Sequence, residues 1–169
     1  MDLGRFLTDI AQNLYTSGGT IADEIIQNAQ RAGATSLAIR LLRSSGADGV
    51  SLLEFQDDGS GLAKADDLLK LAHSGWSKKT KSEDSPFGLG FFSTLTATDR
   101  VEVRSRNLSI VLDSAKLRAT KSIDGVVTVT DEVEDAPGFR VRLYSPPKPA
   151  SGADTSKTRE SWDALESAI

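Results

Sequence analysis

A glutamate and an asparagine stand four residues apart in "ADEIIQNAQRAG", residues 22–33, and that spacing gives them chemistry to share. On a helix turning about 100° per residue, Glu24 and Asn28 lie one above the other. Ile21, Ile25, Ala29 and Ala32 mark the face bound for a core, with Asn28 inside that stripe and Glu24 at its margin. An amide buried without a partner costs on the order of 1–3 kcal/mol, and a carboxylate more. Both groups therefore call for partners. A Mg2+ ion that keeps several waters and bridges phosphates suits the Asn28 amide oxygen, and a carboxylate nearby can orient and deprotonate an attacking water. The plainer alternative leaves Glu24 in solvent and Asn28 capping a neighbouring loop.

Two glycine-bearing segments follow. "DDGSG", residues 57–61, comes directly after the strand-like "SLLEF". Gly59 and Gly61 permit positive φ and let backbone approach a ligand closely. Asp57, at the mouth of the turn, can accept hydrogen bonds such as those of a purine's exocyclic amine. Alone, the segment reads first as a turn that requires glycine. In "FGLGFFS", residues 87–93, Gly88, Leu89, Gly90 and Phe91 lead into an apolar helix start. Free N–H groups and the positive end of the helix dipole make such a terminus a phosphate site. The third glycine of a dinucleotide fingerprint is missing and no strand leads in, and the chain has no GxxxxGK[ST]. The alternative is a glycine loop packed closely on a helix.

These residues need elements to hold them. Residues 5–15 and 20–33 read as helices separated by "TSGG", with Thr20 as N-cap and Gly33 just past the C-cap. "SLAIRLL" and "SLLEF" read as strands across the turn "SSGADG", and a short helix is expected at 63–73. "GLGFFSTLTAT" opens another helix. Later, "VEVRSRN", "SIVLD", "GVVTVT" and "FRVRLYS" have the period-two, β-branched character of an antiparallel meander. The fold class expected is α+β: a two-layer sandwich of a mixed, mostly antiparallel sheet with helices on one face. Residues 1–145 read as one domain. Residues 146–169, with "PPKPASGADTSKTRE", read as a linker-like segment and short helix suited to lead into a further domain.

Composition narrows the class. At 169 residues, 38% hydrophobic and 26% charged, the chain can bury one real core. A net charge of −4 does not favour direct nucleic-acid binding. The absence of cysteine removes disulfides and thiolate metal sites and fits a reducing compartment. "MDLGRFLTDIAQNLY" has two acids and no long apolar run, so no signal peptide is read, and no stretch reaches a membrane span. The expectation is a cytoplasmic protein without a membrane anchor.

Taken in order, E-x-x-x-N, D-x-G-x-G and G-x-G-x-x-S resemble the Bergerat-fold (GHKL) ATPases, which include gyrase B, the ninety-kilodalton heat-shock chaperones, MutL and the sensor histidine kinases. The resemblance runs from about Thr20 to Leu143 and is closest to the chaperone type, through "DDGSGLAKADDLLKLAHSG" and "SPFGLGFFSTL". It implies an ATP-binding domain using Mg2+, with Glu24 as general base and Asn28 on the metal and phosphate oxygens. Asp57 would take the adenine amine, Gly59 and Gly61 would shape the base pocket, and Gly88 to Phe91 would hold phosphate. His73–Pro86 would form a lid, whose Lys78 and Lys79 could bring charge to the nucleotide and whose Trp76 would anchor the loop. Slow hydrolysis would be coupled to lid closure and to a homodimer or protein partner.

Three features depart from the family pattern. Phe139, in "PGFRVRL", stands where many relatives have a threonine that reaches adenine through water, so recognition would lean on Asp57. Arg31 replaces the acidic residue common after the asparagine. The clamp-forming and chaperone relatives have a transducer or middle domain that brings a cation to the γ-phosphate, and residues 1–169 include no counterpart of it. His73, the only histidine, reads as a helix C-terminal residue. A non-hydrolysing ATP-gated switch is the main rival, and an interaction domain that has lost ATP binding a more remote one.

Overall fold

The computed structural model describes residues 18–43, 50–70, 91–122, 124–131, 134, 136–146 and 156–169. The helix expected at 5–15, the lid and Gly88–Gly90 lie outside them. Six strands form one sheet: β1 (Leu37–Arg43), β2 (Ser51–Asp57), β3 (Arg100–Arg106), β4 (Leu108–Asp113), β5 (Val127–Thr130) and β6 (Ala136–Tyr144). Their order is β1-β2-β6-β3-β4-β5, and every described pairing is antiparallel. The meander expected of the second half is thus broken, because β6 returns to the centre between β2 and β3. Burial explains this. Val141 and Leu143 of β6 are fully buried, which only a central strand provides, whereas β5 is mostly exposed.

Strict alternation separates the two faces. One row runs Ile39, Phe55, Val141, Val103, Ile110, Val129, and the next Leu41, Leu53, Leu143, Val101, Leu112, Val127. The central members of both rows are buried, each contributing roughly 1.5–3 kcal/mol. Helices cover this inner face: α1 (Gly18–Arg31), α2 (Asp66–Lys70), α3 (Thr94–Ala97, entered through a 3-10 turn at Phe91–Ser93), α4 (Ser114–Thr120) and α5 (Ser156–Ser167). Their apolar residues join one cluster with the inner rows. α5, set apart in the sequence as a tail, packs on α1 and α3 and sinks Trp162 and Leu165 completely.

The helix ends differ in how well the sequence announces them. Gly33 has φ +73°; its N–H donates to Gln30 O and that of Ala34 to Ala29 O, both at 3.0 Å, the paired closure expected of a glycine just past a C-cap. Thr20 lies inside α1 rather than capping it, since the helix is already formed at Gly18. α4 was not expected. Asp113 starts it by accepting from Lys116 N at 2.7 Å, and Lys121 closes it at φ 54°.

Candidate functional site

The exit of β2 is where the sequence's second motif lands. Asp57 is buried; its Oδ1 accepts from Gly59 N at 2.8 Å and from Phe139 N at 3.3 Å. Oδ2 has no hydrogen-bond partner among the described residues, which leaves one oxygen of a buried carboxylate for a ligand. Burial pushes the Asp57 carboxyl above its ordinary value; the two backbone donors oppose this, and the neighbouring Asp58 charge adds to it.

Every turn of this loop is fixed to another element. Ser60 N donates to Ala32 O at 3.0 Å, and Ser60 O accepts from Arg106 Nη2 at 3.1 Å. Leu62 N donates to Ser105 Oγ at 2.8 Å, and the same hydroxyl donates to Gly138 O at 2.7 Å. A Cβ on Gly138, whose φ is +70°, would overlap Asp57 O, and one on Gly61, at φ +64°, would meet Ser105 Oγ and Gly138 O. Gly138 and Gly61 therefore let β6 and the loop touch backbone to backbone. This packing explains Gly61 without a ligand. A Cβ on Gly59 would stand 2.9 Å from Ala32 Cβ.

Asp58 has the opposite environment to Asp57. It is exposed, yet Oδ1 accepts from Thr35 N at 2.7 Å and Ser36 N at 2.9 Å, and Oδ2 accepts from Thr35 Oγ1 at 2.6 Å. These donors, the Thr35 hydroxyl foremost, hold its carboxyl well below the usual carboxylate range. The bonds tie the loop to the connection between α1 and β1. Sequence reasoning missed Asp58, Ser105 and Gly138 as contributors. Their partners lie 22–33 residues or more away, and no local signal reports such contacts.

α1 supplies the other half. Glu24 is buried at 9% exposure beside fully buried Ile21, and Asn28 is half-buried between Ile25 and Ala29. Neither side chain has a hydrogen-bond partner among the described residues. The solvent alternative for Glu24 is thereby overturned. Asn28 connects to the β2 exit through one helical turn, since its carbonyl accepts from Ala32 N at 3.0 Å and Ala32 contacts Gly59 and Ser60. Glu24, Asn28, Asp57 and Gly59 thus belong to two adjoining elements, joined at Ala32.

Phe91 and Phe139 close the inner side. The Phe91 ring is buried, edge-on to Phe92 at 5.4 Å and to Phe139 at 6.2 Å. Its side chain is therefore an anchor of the core. Phe139 is the cross-strand partner of Asp57, and its amide is one of the two that hold Oδ1. Lys78, Lys79, Gly88, Leu89 and Gly90 lie outside the described residues. Among the described residues no group of three or more acidic, histidine or cysteine side chains could hold a metal, and no helix is long and apolar enough to cross a membrane.

An antiparallel sheet layered with helices carries a buried aspartate at a glycine-rich strand exit, and on the adjoining helix an acid and an amide without hydrogen-bond partners among the described residues; this is the layout of an ATPase-type nucleotide domain. The chain belongs to the family described as histidine kinase-, DNA gyrase B-, and HSP90-like ATPases, whose model matches residues 15–133, more than half of its length. Among curated proteins no match was found.

Proposed function

We infer that this domain binds Mg·ATP between α1 and the β2 exit and hydrolyses it slowly. The observation that carries the reading is Asp57: buried, with one oxygen held by two backbone amides and the other without a protein partner among the described residues. A purine's exocyclic amine would complete it, with Phe139 and Gly59 beside the base. Asn28 would hold the metal, which supplies charge neutralisation for the phosphates when bound. Glu24 would orient the attacking water and accept its proton. Gly88–Phe91 backbone, and Lys78 or Lys79 from the lid, would meet the phosphates. Lid closure, dimerisation or partner binding on nucleotide, a chaperone-type kinship and a cytoplasmic setting belong to the same proposal.

A second reading, a switch that binds ATP without turnover, draws on one feature. Glu24 lacks a hydrogen-bonded neighbour among the described residues that would orient it as a base. Calorimetry with Mg·ATP, with phosphate release followed in parallel, decides between them. Expected for the enzyme: Asp57→Asn abolishes binding, while Glu24→Ala binds ATP and releases no phosphate. Binding by wild type without release supports the switch, and no binding by wild type overturns both.

A further inference from the structure

The outer face of the sheet, turned away from the helices, carries a charge pattern that the nucleotide site does not use. One row across it reads Arg40, Glu54, Arg142, Glu102, and the row beside it Gln56, Arg140, Arg104, Ser109. Arg100 and Tyr144 continue into a third row. The acids here are spent. Glu54, only 5% exposed, accepts from Arg40 at 2.7 Å and Arg142 at 2.8 Å; burial would raise its carboxyl, but these two guanidinium groups outweigh that and hold it down. Glu102 takes Arg100 at 2.5 Å and the Tyr144 hydroxyl at 2.8 Å, and Asp113 caps α4.

Arg104 and Arg140 are what remains. They are direct cross-strand partners, an arrangement of like charges that destabilises a sheet. Neither pairs with a carboxylate among the described residues. Among the described residues Arg104 reaches only the Glu134 carbonyl at 3.4 Å, and the buried Nε atoms of both arginines have no hydrogen-bond partner there. Two arginines directly opposite each other on paired strands are placed to share one carboxylate. Leu42, 56% exposed, and the half-buried Leu52 and Tyr144 lie on the same face, giving the mixture of arginine, tyrosine and aliphatic surface typical of protein interfaces.

We propose that this outer face docks an acidic polypeptide segment of a protein partner, with Arg104 and Arg140 together receiving one of its carboxylates. A polypeptide is favoured over a nucleic acid because glutamates interrupt the arginines and apolar side chains adjoin them. A phosphate backbone would call for an unbroken positive track. Such docking leaves the helix-covered face free, so partner and nucleotide bind together.

Fluorescence anisotropy of the full chain tests this, using a short labelled peptide with glutamate and leucine alternating. Wild type should bind it in a salt-sensitive way. Arg104→Gln/Arg140→Gln should weaken binding by roughly tenfold or more. The charge-preserving Arg104→Lys/Arg140→Lys should recover part of it. Arg43→Gln, which removes a positive charge on the other side of the sheet, and Asp57→Asn should leave binding near wild type. Circular dichroism checks that each variant is folded. Absence of binding by wild type, or equal loss in Arg43→Gln, overturns the proposal. So does tighter binding of a labelled single-stranded oligonucleotide through the same two arginines.

Discussion

The β2 exit and the face of α1 both carry polar groups of the proposed nucleotide site, but they are built in opposite ways. At the β2 exit, Asp57–Leu62 is bonded to α1, β3 and β6, and each bond engages backbone. On α1, Glu24 and Asn28 are placed only by the packing of their helix, and their own polar atoms are unengaged among the described residues. Rigidity therefore resides on one side of the site. The corner that would recognise a base is preformed, while the groups that would do chemistry are positioned by packing alone.

This contrast is most easily broken at Gly138. Gly138→Ala places a Cβ into Asp57 O at a positive φ, so the expected cost is about 3 kcal/mol or more, with loss of ATP binding. Urea unfolding and calorimetry would measure both. Ser105→Ala comes next. It strands the Gly138 carbonyl and the Leu62 amide in a fully buried place, for an expected loss of about 1–3 kcal/mol in chemical denaturation.

Acid separates the two carboxylates within the corner. Asp58 is held below its unfolded value, near 3.8, so its contribution is present above that pH and lost as pH falls through the folded value. Asp57, raised by burial, has the opposite sign. Its contribution is complete below its unfolded pKa and lost as pH rises through its folded one. Thermal melts from neutral into acid should show a flatter acid limb for Asp58→Asn and a steeper one for Asp57→Asn. The smallest effect belongs to α1: Glu24→Gln keeps the side chain's size and removes no hydrogen bond among the described residues, so it should change stability by less than about 0.5 kcal/mol.

Much of this architecture is legible in the order of residues alone. The stripe of Ile21, Ile25 and Ala29 sets which way α1 faces, and the oddity of Glu24 and Asn28 on that side singles them out for the proposed site. Strands β1 to β4 fall close to their expected places because their apolar residues alternate. What local pattern could not supply was pairing across distance. β6 at the centre of the sheet, the Ser105–Gly138 contact and the Asp58–Thr35 clamp each join segments 22 or more residues apart. α4 escaped because seven residues, about two helical turns with one large apolar side chain, Leu117, are too short for a periodicity to detect. The outer arginines, scattered over three strands, become neighbours only once the register is set.

The Ser105 hydroxyl acts in time as well as in space. Leu62 lies in a loop, where amides ordinarily exchange with solvent quickly. Its N–H is held by a fully buried oxygen that is itself bonded to β6. Deuterium should therefore reach it only when loop, β3 and β6 separate together, so that one irregular stretch keeps pace with the slowest strands. If nucleotide binding reshapes this domain, the Leu62 amide should not register it, and the movement will be recorded on α1.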